Sequence, residues 1–401
     1  MKNRENKKIA LIINHLSGGG AERAVAKISF AFSKYYDVYL VLSDAFRIDY
    51  NYSGELVDLG IKHSSNILFK VINFFRRVHR LRKVKKQYNF DVAVSFHELS
   101  NVANLFSKNN EKIVLSVRNV LSERNKAVLY DRFYGILVRF FYNRADRIIA
   151  VSQMCKHDLV RNYHLDSEKV RVIYNLYNID EIRQLCSKGI DEDVLPEGDY
   201  IITMGRLSHA KGQWHLVRAF QKVIEEFPDL KLYILGDGEL RDYLETLVSE
   251  MGLKNNIVFK AFQKNPFAYL AGARLFVFPS LFEGFPNALV EAMACGIPVV
   301  SSDCFSGPRE ILAPGTDVTY QTSDVEYAKW GVLVPVGDGR KYLSGDPLSY
   351  EESLIAKAII NMLRNEQMRK KYSKKAQRRA HDYKVENISE LWINEIGSIH
   401  E

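Results

Sequence analysis

The sequence lacks the features that mark secreted, disulfide-rich and membrane-spanning proteins. Its 401 residues include only four cysteines, and none forms a C-x-x-C pair, so we expect reduced core thiols rather than disulfides or a zinc site. No apolar run reaches the roughly 18 residues of a spanning helix, and the short run after MKNRENKK lacks a cleavage signature. These absences predict a cytoplasmic protein that is neither secreted nor integral to a membrane. The cysteines are Cys155, Cys186, Cys295 and Cys304.

The composition is that of a globular protein rather than a disordered or fibrous one. Hydrophobic residues make up 47% and charged residues 26% of the chain, and the length suggests two or three domains. The net charge of +8 is unevenly spread, because Phe69–Lys86 holds eight lysines or arginines and no acid. Nucleotide phosphates, lipid phosphates or an anionic membrane surface are therefore plausible partners.

Short apolar runs alternate with helical patterns in both halves of the chain. This alternation predicts parallel sheets covered by helices on both faces. The strands predicted in the first half are Ile9–Ile13, Val38–Leu42, Val92–Ser95, Ile113–Ser116 and Ile148–Val151. Those predicted in the second half are Tyr200–Met204, Leu230–Leu235, Ile257–Phe259, Leu275–Phe278 and Pro298–Ser301.

The predicted fold class is α/β, with two Rossmann-like, doubly wound domains that face each other across a cleft. We place the N-terminal, acceptor-side domain at 1–186 and a polar linker, SKGIDEDVLPEGD, at 187–199. The C-terminal, nucleotide-binding domain follows at 200–375. The final helical segment, 376–401, is expected to cross back to the N-terminal domain. Ligands of such folds bind at the carboxyl ends of the strands.

Two glycine-rich turns each follow a predicted strand and open a helix. The first holds Gly18, Gly19 and Gly20 in SGGGAER, where close backbone approach and unpaired helix N–H groups favour an anion. The second is Gly236-Asp237-Gly238-Glu239, for which a tight turn with a helix cap explains the glycines equally well. Neither turn has the G-x-G-x-x-G spacing of a dinucleotide site.

Charged residues follow two further strands. Arg206 and Lys211 stand in GRLSHAKG after Tyr200–Met204, where two cations suit a diphosphate leaving group, although a solvated basic loop is an equal alternative. Glu283 and Glu291 stand in EGFPNALVE, one on a loop and one in the helix that Pro286 begins. Two carboxylates that bracket a helix N-terminus suit a nucleotide sugar, and the apolar residues around Glu291 argue against a solvated acid.

Together these strings resemble the retaining family 4 glycosyltransferases of the GT-B fold. The resemblance rests on E-x7-E, GRL…KG, GGGAER, GDGELR and MACGIPVV, which cover nearly the whole chain in order. SGPREIL and SVRN resemble the enzymes of bacterial polysaccharide assembly, such as capsule, O-antigen or lipid-linked oligosaccharide synthesis. The resemblance implies transfer of a hexose or N-acetylhexosamine from a UDP-sugar, with no metal or other cofactor, to a glycan or a polyprenyl-diphosphate-linked acceptor.

The resemblance also implies roles for single residues. Glu283 would contact sugar hydroxyls, Glu291 the ribose, and Arg206 and Lys211 the diphosphate. Further donor-binding residues would be Gly19, Gly20, Gly236, Gly284, Phe285, Asn287, Ala288 and Leu289. The family's N-terminal histidine, after the strand Ile113–Ser116, is missing here, and Arg118 stands near that place. His97, in SFHEL, is a possible substitute, although a lone histidine is more often structural.

The segment Phe69–Lys86 interleaves aromatic and aliphatic residues with cations. This pattern predicts an amphipathic helix that docks on anionic lipids at the inner face of the cell membrane, or else an ordinary surface helix with a basic face. Nucleic-acid binding lacks a supporting motif. Two alternatives to a glycosyltransferase stay open: a nucleotide-sugar epimerase of the same fold, and a non-catalytic sugar-nucleotide-binding protein.

Overall fold

A computed structural model describes residues 7–62, 64, 66–124, 129–188, 196 and 198–399. The chain divides into two compact units, one of Met1–Leu176 with Val385–Glu401 and one of Tyr177–Lys384. The division falls ten residues before the expected end of the first domain. Residues 189–195 and 197 of the predicted linker lie outside the described residues.

The sheet of the first unit has seven strands, all parallel, in the order β3-β2-β1-β4-β5-β6-β7. The order reverses between β1 and β4, which makes the carboxyl ends of these two strands the switch point where such folds bind ligands. The strands are β1 (Lys8–Ile13), β2 (Asp37–Leu42), β3 (Glu55–Asp58), β4 (Val92–Phe96), β5 (Lys112–Val117), β6 (Arg147–Ala150) and β7 (Val170–Val172).

Helices connect these strands and bury their apolar sides against the sheet. Val25 and Phe32 of the first helix pack in one core with Ile9, Leu11 and Val94 of the central strands. The helices are α1 (Gly20–Phe32), α2 (Ile67–Tyr88), α3 (Glu98–Phe106), α4 (Leu121–Arg124), α5 (Leu129–Phe141) and α6 (Gln153–Arg161).

The second unit repeats this architecture. Its sheet has the order β10-β9-β8-β11-β12-β14-β13, in which only the β13–β14 pair is antiparallel, and its switch point lies between β8 and β11. The strands are β8 (Tyr200–Met204), β9 (Lys231–Leu235), β10 (Ile257–Lys260), β11 (Leu275–Phe278), β12 (Val299–Ser302), β13 (Glu326–Tyr327) and β14 (Val332–Val334).

Trp214 and Phe220, both fully buried, lie with Leu232, Val277 and Ile359 in the core of the second unit. The helices that surround its sheet are α7 (Ile179–Ser187), α8 (Gln213–Ile224), α9 (Arg241–Glu250), α10 (Pro266–Gly272), α11 (Asn287–Ala294), α12 (Pro308–Leu312), α13 (Tyr350–Arg364) and α14 (Glu366–Ala380). The helix α7, which the sequence analysis assigned to the first domain, belongs here because it packs on α10 and α11.

The last helix, α15 (Val385–Ser398), belongs to the first unit. Its Trp392 is buried, with ring centroids 6.1 Å from Phe32 and 6.2 Å from Phe96. The chain therefore passes between the units twice, after Leu176 and after Lys384. Within the described residues, no helix is both long enough and apolar enough to span a bilayer.

Candidate functional site

In the second unit, four loops at the carboxyl edge of the sheet are hydrogen-bonded to one another. The loops follow β8, β9, β11 and β12. Because backbone groups make these bonds, the loops form one platform that does not depend on any single side chain. The bonds run from Leu207 N–H to Asp237 O (2.9 Å), from Leu281 N–H to Ala210 O (2.8 Å) and from Glu283 N–H to Phe305 O (2.7 Å).

Gly236 is needed for this close packing. Its φ of +138° lies in the region that favours glycine, and a Cβ there would collide with the carbonyl oxygen of Gly205. The glycine thus lets the loop after β9 rest directly on the loop after β8. Gly212, with φ +57°, lets the loop after β8 approach the loop after β11. A Cβ on Gly212 would come within 2.5 Å of the carbonyl oxygen of Pro279.

Lys211 and Glu283 meet on this platform. The Lys211 Nζ lies 2.5 Å from Glu283 Oε1, and the two side chains are 25% and 10% exposed. Lys211 Nζ also lies 5.5 Å from the centroid of the Phe278 ring. The structure therefore brings a cation from the loop after β8 and a carboxylate from the loop after β11 together at the switch point.

Arg206 lies on the same loop as Lys211 but faces solvent. Its side chain is 73% exposed, and its Nη2 lies 3.1 Å from Glu239 Oε2. Glu239's own backbone N–H and the nearby Arg206 hold the pKa of the Glu239 carboxyl below its ordinary value. The Arg206 side chain is less constrained than that of Lys211, because it is exposed and its rotamers are not limited by burial.

Glu291 is buried, at 3% exposure, in the middle of α11. It is therefore not a solvated acid on a helix surface. The backbone N–H of Leu289, one of the amides expected to line a donor, already donates to Pro286 O at 3.1 Å.

The loop between Glu283 and α11 is anchored by side chains. Ser306 Oγ–H donates to Gly284 O (2.5 Å), and the ring of Phe285 packs edge-on against Tyr383, with centroids 5.6 Å apart. The Tyr177 hydroxyl donates to Asn287 Oδ1 at 2.5 Å. Ala288 follows in the first turn of α11. The ligand-binding roles of Gly284, Phe285, Asn287, Ala288 and Leu289 stay predictions.

In the first unit, Gly19 and Gly20 stand at the start of α1, with Gly19 as the N-cap. The carboxylate of Glu22, in the first turn of the helix, lies so close that a Cβ on Gly19 would collide with it. Gly19 thus leaves room for a buried acid, which has 5% exposure. Sequence reasoning missed Glu22, although an acid among the apolar residues of GAERAVAKI was a usable signal.

Glu22 holds His97, which directly follows β4. Glu22 Oε1 lies 3.2 Å from His97 Nε2 and 3.8 Å from His15 Nδ1. Burial raises the pKa of the Glu22 carboxyl, but the hydrogen bond and charge of His97 outweigh burial, so the pKa lies below its ordinary value. His97 has φ +70° and ψ 154°, a backbone conformation that costs a non-glycine residue roughly 1–3 kcal/mol.

Arg118 directly follows β5, the neighbour of β4, and its guanidinium donates to Asn175 Oδ1. The adjacent Asn119 donates to Glu98 Oε1 at 3.4 Å. Arg118 and His97 therefore both lie at the carboxyl edge of the first sheet.

Two families of known proteins match the chain. The family described as Glycosyltransferase Family 4 matches residues 18–181, and the family described as Glycosyl transferases group 1 matches residues 191–333. An uncharacterized glycosyltransferase of Methanocaldococcus jannaschii is 34% identical over 354 residues, which cover 84% of this chain and 87% of that protein.

A Campylobacter jejuni relative is named N-acetylgalactosamine-N,N'-diacetylbacillosaminyl-diphospho-undecaprenol 4-alpha-N-acetylgalactosaminyltransferase. It is 29% identical over 386 residues, which cover 93% of this chain and 94% of that protein. Among solved structures, HepE of Anabaena in complex with UDP matches with a TM-score of 0.74 at 20% identity, covering 98% of this chain and all of that one. Sucrose-phosphate synthase of Thermosynechococcus elongatus matches with the same TM-score at 19% identity, covering 98% of both chains.

Proposed function

The chain belongs to glycosyltransferase family 4 and has the GT-B fold, and from that premise we propose that it is a retaining hexosyltransferase. Its donor is a UDP-linked hexose or N-acetylhexosamine. Its acceptor is a glycan or a polyprenyl-diphosphate-linked sugar of bacterial polysaccharide assembly. The names of the Campylobacter relative, with its diphospho-undecaprenol acceptor, and of the HepE complex, with UDP, support this assignment.

The Lys211–Glu283 pair at the switch point is the observation that carries the proposal. The two charges neutralise each other at 2.5 Å. When a nucleotide sugar binds, Lys211 and Arg206 face the diphosphate and stabilise the charge that develops on this leaving group. Glu283 then turns its oxygens to the hydroxyls of the sugar, while Glu291 binds the ribose.

We propose that the transfer keeps the anomeric configuration, because the resemblance to the retaining family 4 enzymes implies it. Because Glu283 and Glu291 both hold the donor, neither is left to form a covalent glycosyl-enzyme. The bond from the anomeric carbon to the diphosphate breaks, the acceptor oxygen forms its new bond on the same face, and the acceptor's proton passes to the departing diphosphate. We also propose that this transfer needs no metal, since Lys211 and Arg206 supply the positive charge. Unchanged turnover in the presence of EDTA is the expected result, and restoration of lost activity by Mg²⁺ or Mn²⁺ would contradict it.

The first unit supplies the acceptor side in this proposal. His97 keeps a strained backbone conformation beside a buried carboxylate, and such strain concentrates at functional sites. We therefore favour His97 as the residue that approaches the reacting sugar, and Arg118 is the alternative. Gly19 and Gly20 border the diphosphate in this proposal. His97→Gln should lower kcat for transfer by about 10²-fold, and Arg118→Gln should do so if Arg118 has this role.

The main test is a screen of UDP- and GDP-sugars for binding, slow hydrolysis and transfer to lipid-linked acceptors. Lys211→Ala and Glu283→Ala should abolish transfer, while Lys357→Ala, which removes an exposed cation of α13, should leave it unchanged. Normal turnover by the first two variants would refute the proposal. A C2-epimerised sugar nucleotide formed without acceptor would show an epimerase, and binding with no hydrolysis or transfer would show a non-catalytic protein.

We further propose that α2 docks this enzyme on an anionic membrane. The N-terminal half of the helix exposes Phe69, at 51%, and Phe75, at 66%, with Val71 and Ile72 also exposed. Fewer cations are available to lipid than the sequence pattern suggests. Half of the eight cations of Phe69–Lys86 bind groups of the protein itself. These are Arg77, Arg80, Arg82 and Lys85, whose partners include Ser43 Oγ, Leu59 O, Phe106 O and Glu111.

The other four cations of α2, namely Lys70, Arg76, Lys83 and Lys86, are all exposed. Burial of two phenylalanines in the interface and attraction of these cations should together produce co-sedimentation with vesicles rich in phosphatidylglycerol. Phe69→Ser with Phe75→Ser should reduce that binding at least tenfold. Phe262→Ser, at an 84% exposed position of the second unit, is the matched control. Equal binding by both variants would refute the docking of α2.

A further inference from the structure

The two points where the chain passes between the units lie side by side in the second unit. Tyr177, the first residue after the first passage, donates its backbone N–H to Tyr383 O at 2.9 Å, and it forms an isolated parallel β-bridge with Lys384. Lys384 is the last residue before the second passage. Both tyrosines are buried, at 1% exposure.

Both tyrosine side chains touch the segment that follows Glu283. The Tyr177 hydroxyl donates to Asn287 Oδ1 at 2.5 Å. The Tyr383 ring lies edge-on to Phe285 at 5.6 Å between centroids and 63° between planes. The passage residues therefore contact the beginning of α11 and the loop before it, whose Phe285 and Asn287 are predicted to bind the donor.

Arg379 holds Tyr383 in this position from the other side. Its Nη2–H groups donate to the Tyr383 hydroxyl at 2.7 Å and to Glu310 O at 2.8 Å, and its Nε–H donates to Ile311 O at 3.0 Å. Its guanidinium also lies 4.9 Å from the centroid of the Tyr383 ring. Arg379 thus bonds both to the Tyr383 hydroxyl and to two carbonyl oxygens of α12, and a shift of the Tyr383 ring away from Phe285 would break its contacts to Arg379.

The hydrogen bond from Tyr177 fixes which way the amide of Asn287 points. A side-chain amide has an oxygen that accepts and a nitrogen that donates. Because a hydroxyl donor faces the oxygen, the NH₂ end of the amide is turned the opposite way. Asn287 begins α11, where the first backbone N–H groups of a helix lack intrahelical partners and attract anions.

We propose that Tyr177 is a positioning residue for the nucleotide diphosphate, acting through the amide of Asn287 at the N-terminus of α11. The inference rests on the proposed function. The Tyr177 hydroxyl fixes the orientation of the Asn287 amide, and the contact between Tyr383 and Phe285 fixes the loop before α11. This segment therefore does not have to become ordered when the diphosphate binds. A residue at a passage between the units thereby acts on donor affinity without touching the donor.

The test compares Tyr177→Phe with Tyr200→Phe by titration calorimetry with UDP. Tyr200 is a matched control, because its buried hydroxyl also donates one hydrogen bond, to Tyr269 O at 2.7 Å, but at the opposite, amino end of β8. Tyr177→Phe should raise the Kd for UDP roughly 2- to 12-fold, as loss of one hydrogen bond allows. Tyr200→Phe should lower the melting temperature as much and leave the Kd unchanged.

A second comparison separates positioning from general damage. If Tyr177 acts through Asn287, the double variant Tyr177→Phe with Asn287→Ala should bind UDP as weakly as Asn287→Ala alone, within a factor of two. Multiplied effects, or equal affinities of Tyr177→Phe and Tyr200→Phe, would overturn the inference while leaving the proposed function intact. A wild-type protein that binds neither UDP nor any UDP-sugar would overturn both.

Discussion

Replacement of Lys211 by methionine tests the centre of the proposed site. The change keeps a side chain of similar length but removes the cation that lies 2.5 Å from Glu283 Oε1. The Glu283 carboxylate, whose side chain is only 10% exposed, would then lack its cation in a position with little water. We therefore expect two separable losses, one in folding stability and one in catalysis.

The stability loss follows from burial. Removal of one partner of a fully buried ion pair costs about 3–5 kcal/mol, and the 25% exposure of Lys211 places this pair lower, at about 2–3 kcal/mol. For a unit of this size that corresponds to a fall in melting temperature of roughly 4–12 °C.

The catalytic loss has a separate cause. Loss of a charge-assisted contact to the leaving group costs about 3–4 kcal/mol more in the transition state, or a 10²- to 10³-fold drop in kcat/KM.

A double-mutant cycle with Glu283→Gln assigns the stability loss to the pair. Denaturant unfolding of the single and double variants should give a coupling energy of about 1–2 kcal/mol, because the double variant leaves no unpaired charge. Lys357→Met, at the exposed Lys357–Asp324 pair, should not change the melting temperature measurably. Additive losses in the cycle would show that Lys211 and Glu283 do not pair in solution, and unchanged kcat/KM would remove Lys211 from the donor site.

Three further predictions concern other parts of the molecule. Gly236→Ala should destabilise the protein by about 3 kcal/mol or more, because its Cβ meets a backbone carbonyl. Gly345→Ala, in open space, should be neutral by the same denaturant titration. Burial raises the pKa of Asp146, but hydrogen bonds from a backbone N–H and a lysine outweigh burial and hold that pKa low. Its stabilisation is thus lost below about pH 4, and Asp146→Asn should flatten the acid limb of stability against pH. A hydrogen bond from a neighbouring thiol lowers the pKa of Cys186, so iodoacetamide should alkylate Cys186 before the buried Cys155, as peptide mass spectrometry would show.

The central strands were predictable because a parallel strand buried on both faces reads as a continuous apolar run. The prediction of Tyr200–Met204 and Leu275–Phe278 as strands is confirmed to the residue. The edge strands β3, with the sequence ELVD, and β7, with the sequence VRV, escaped detection. They are short and carry charge, and only pairing with an inner strand gives them their conformation.

The candidate site was predictable where its chemistry is local in sequence. Arg206, Lys211 and Glu283 each follow a strand within one loop, so the pattern alone places them at the carboxyl edge of one sheet. Glu22 and Tyr177 were not found, because their importance arises from partners 75 and 110 residues away. No short motif records that a buried acid meets His97 or that a tyrosine at a passage between units meets Asn287.

The shared platform in the second unit determines how variants of the site should be interpreted. Since the loops after β8, β9, β11 and β12 bond to one another through backbone groups, a side-chain change at Lys211 or Glu283 leaves their framework in place. A change at Gly236 instead separates two loops and displaces Arg206 and Lys211 together. Loss of activity in a Lys211 variant therefore reports on charge, whereas loss in a Gly236 variant reports on geometry. The two kinds of loss differ in salt dependence, because only the first removes an electrostatic contact to the diphosphate.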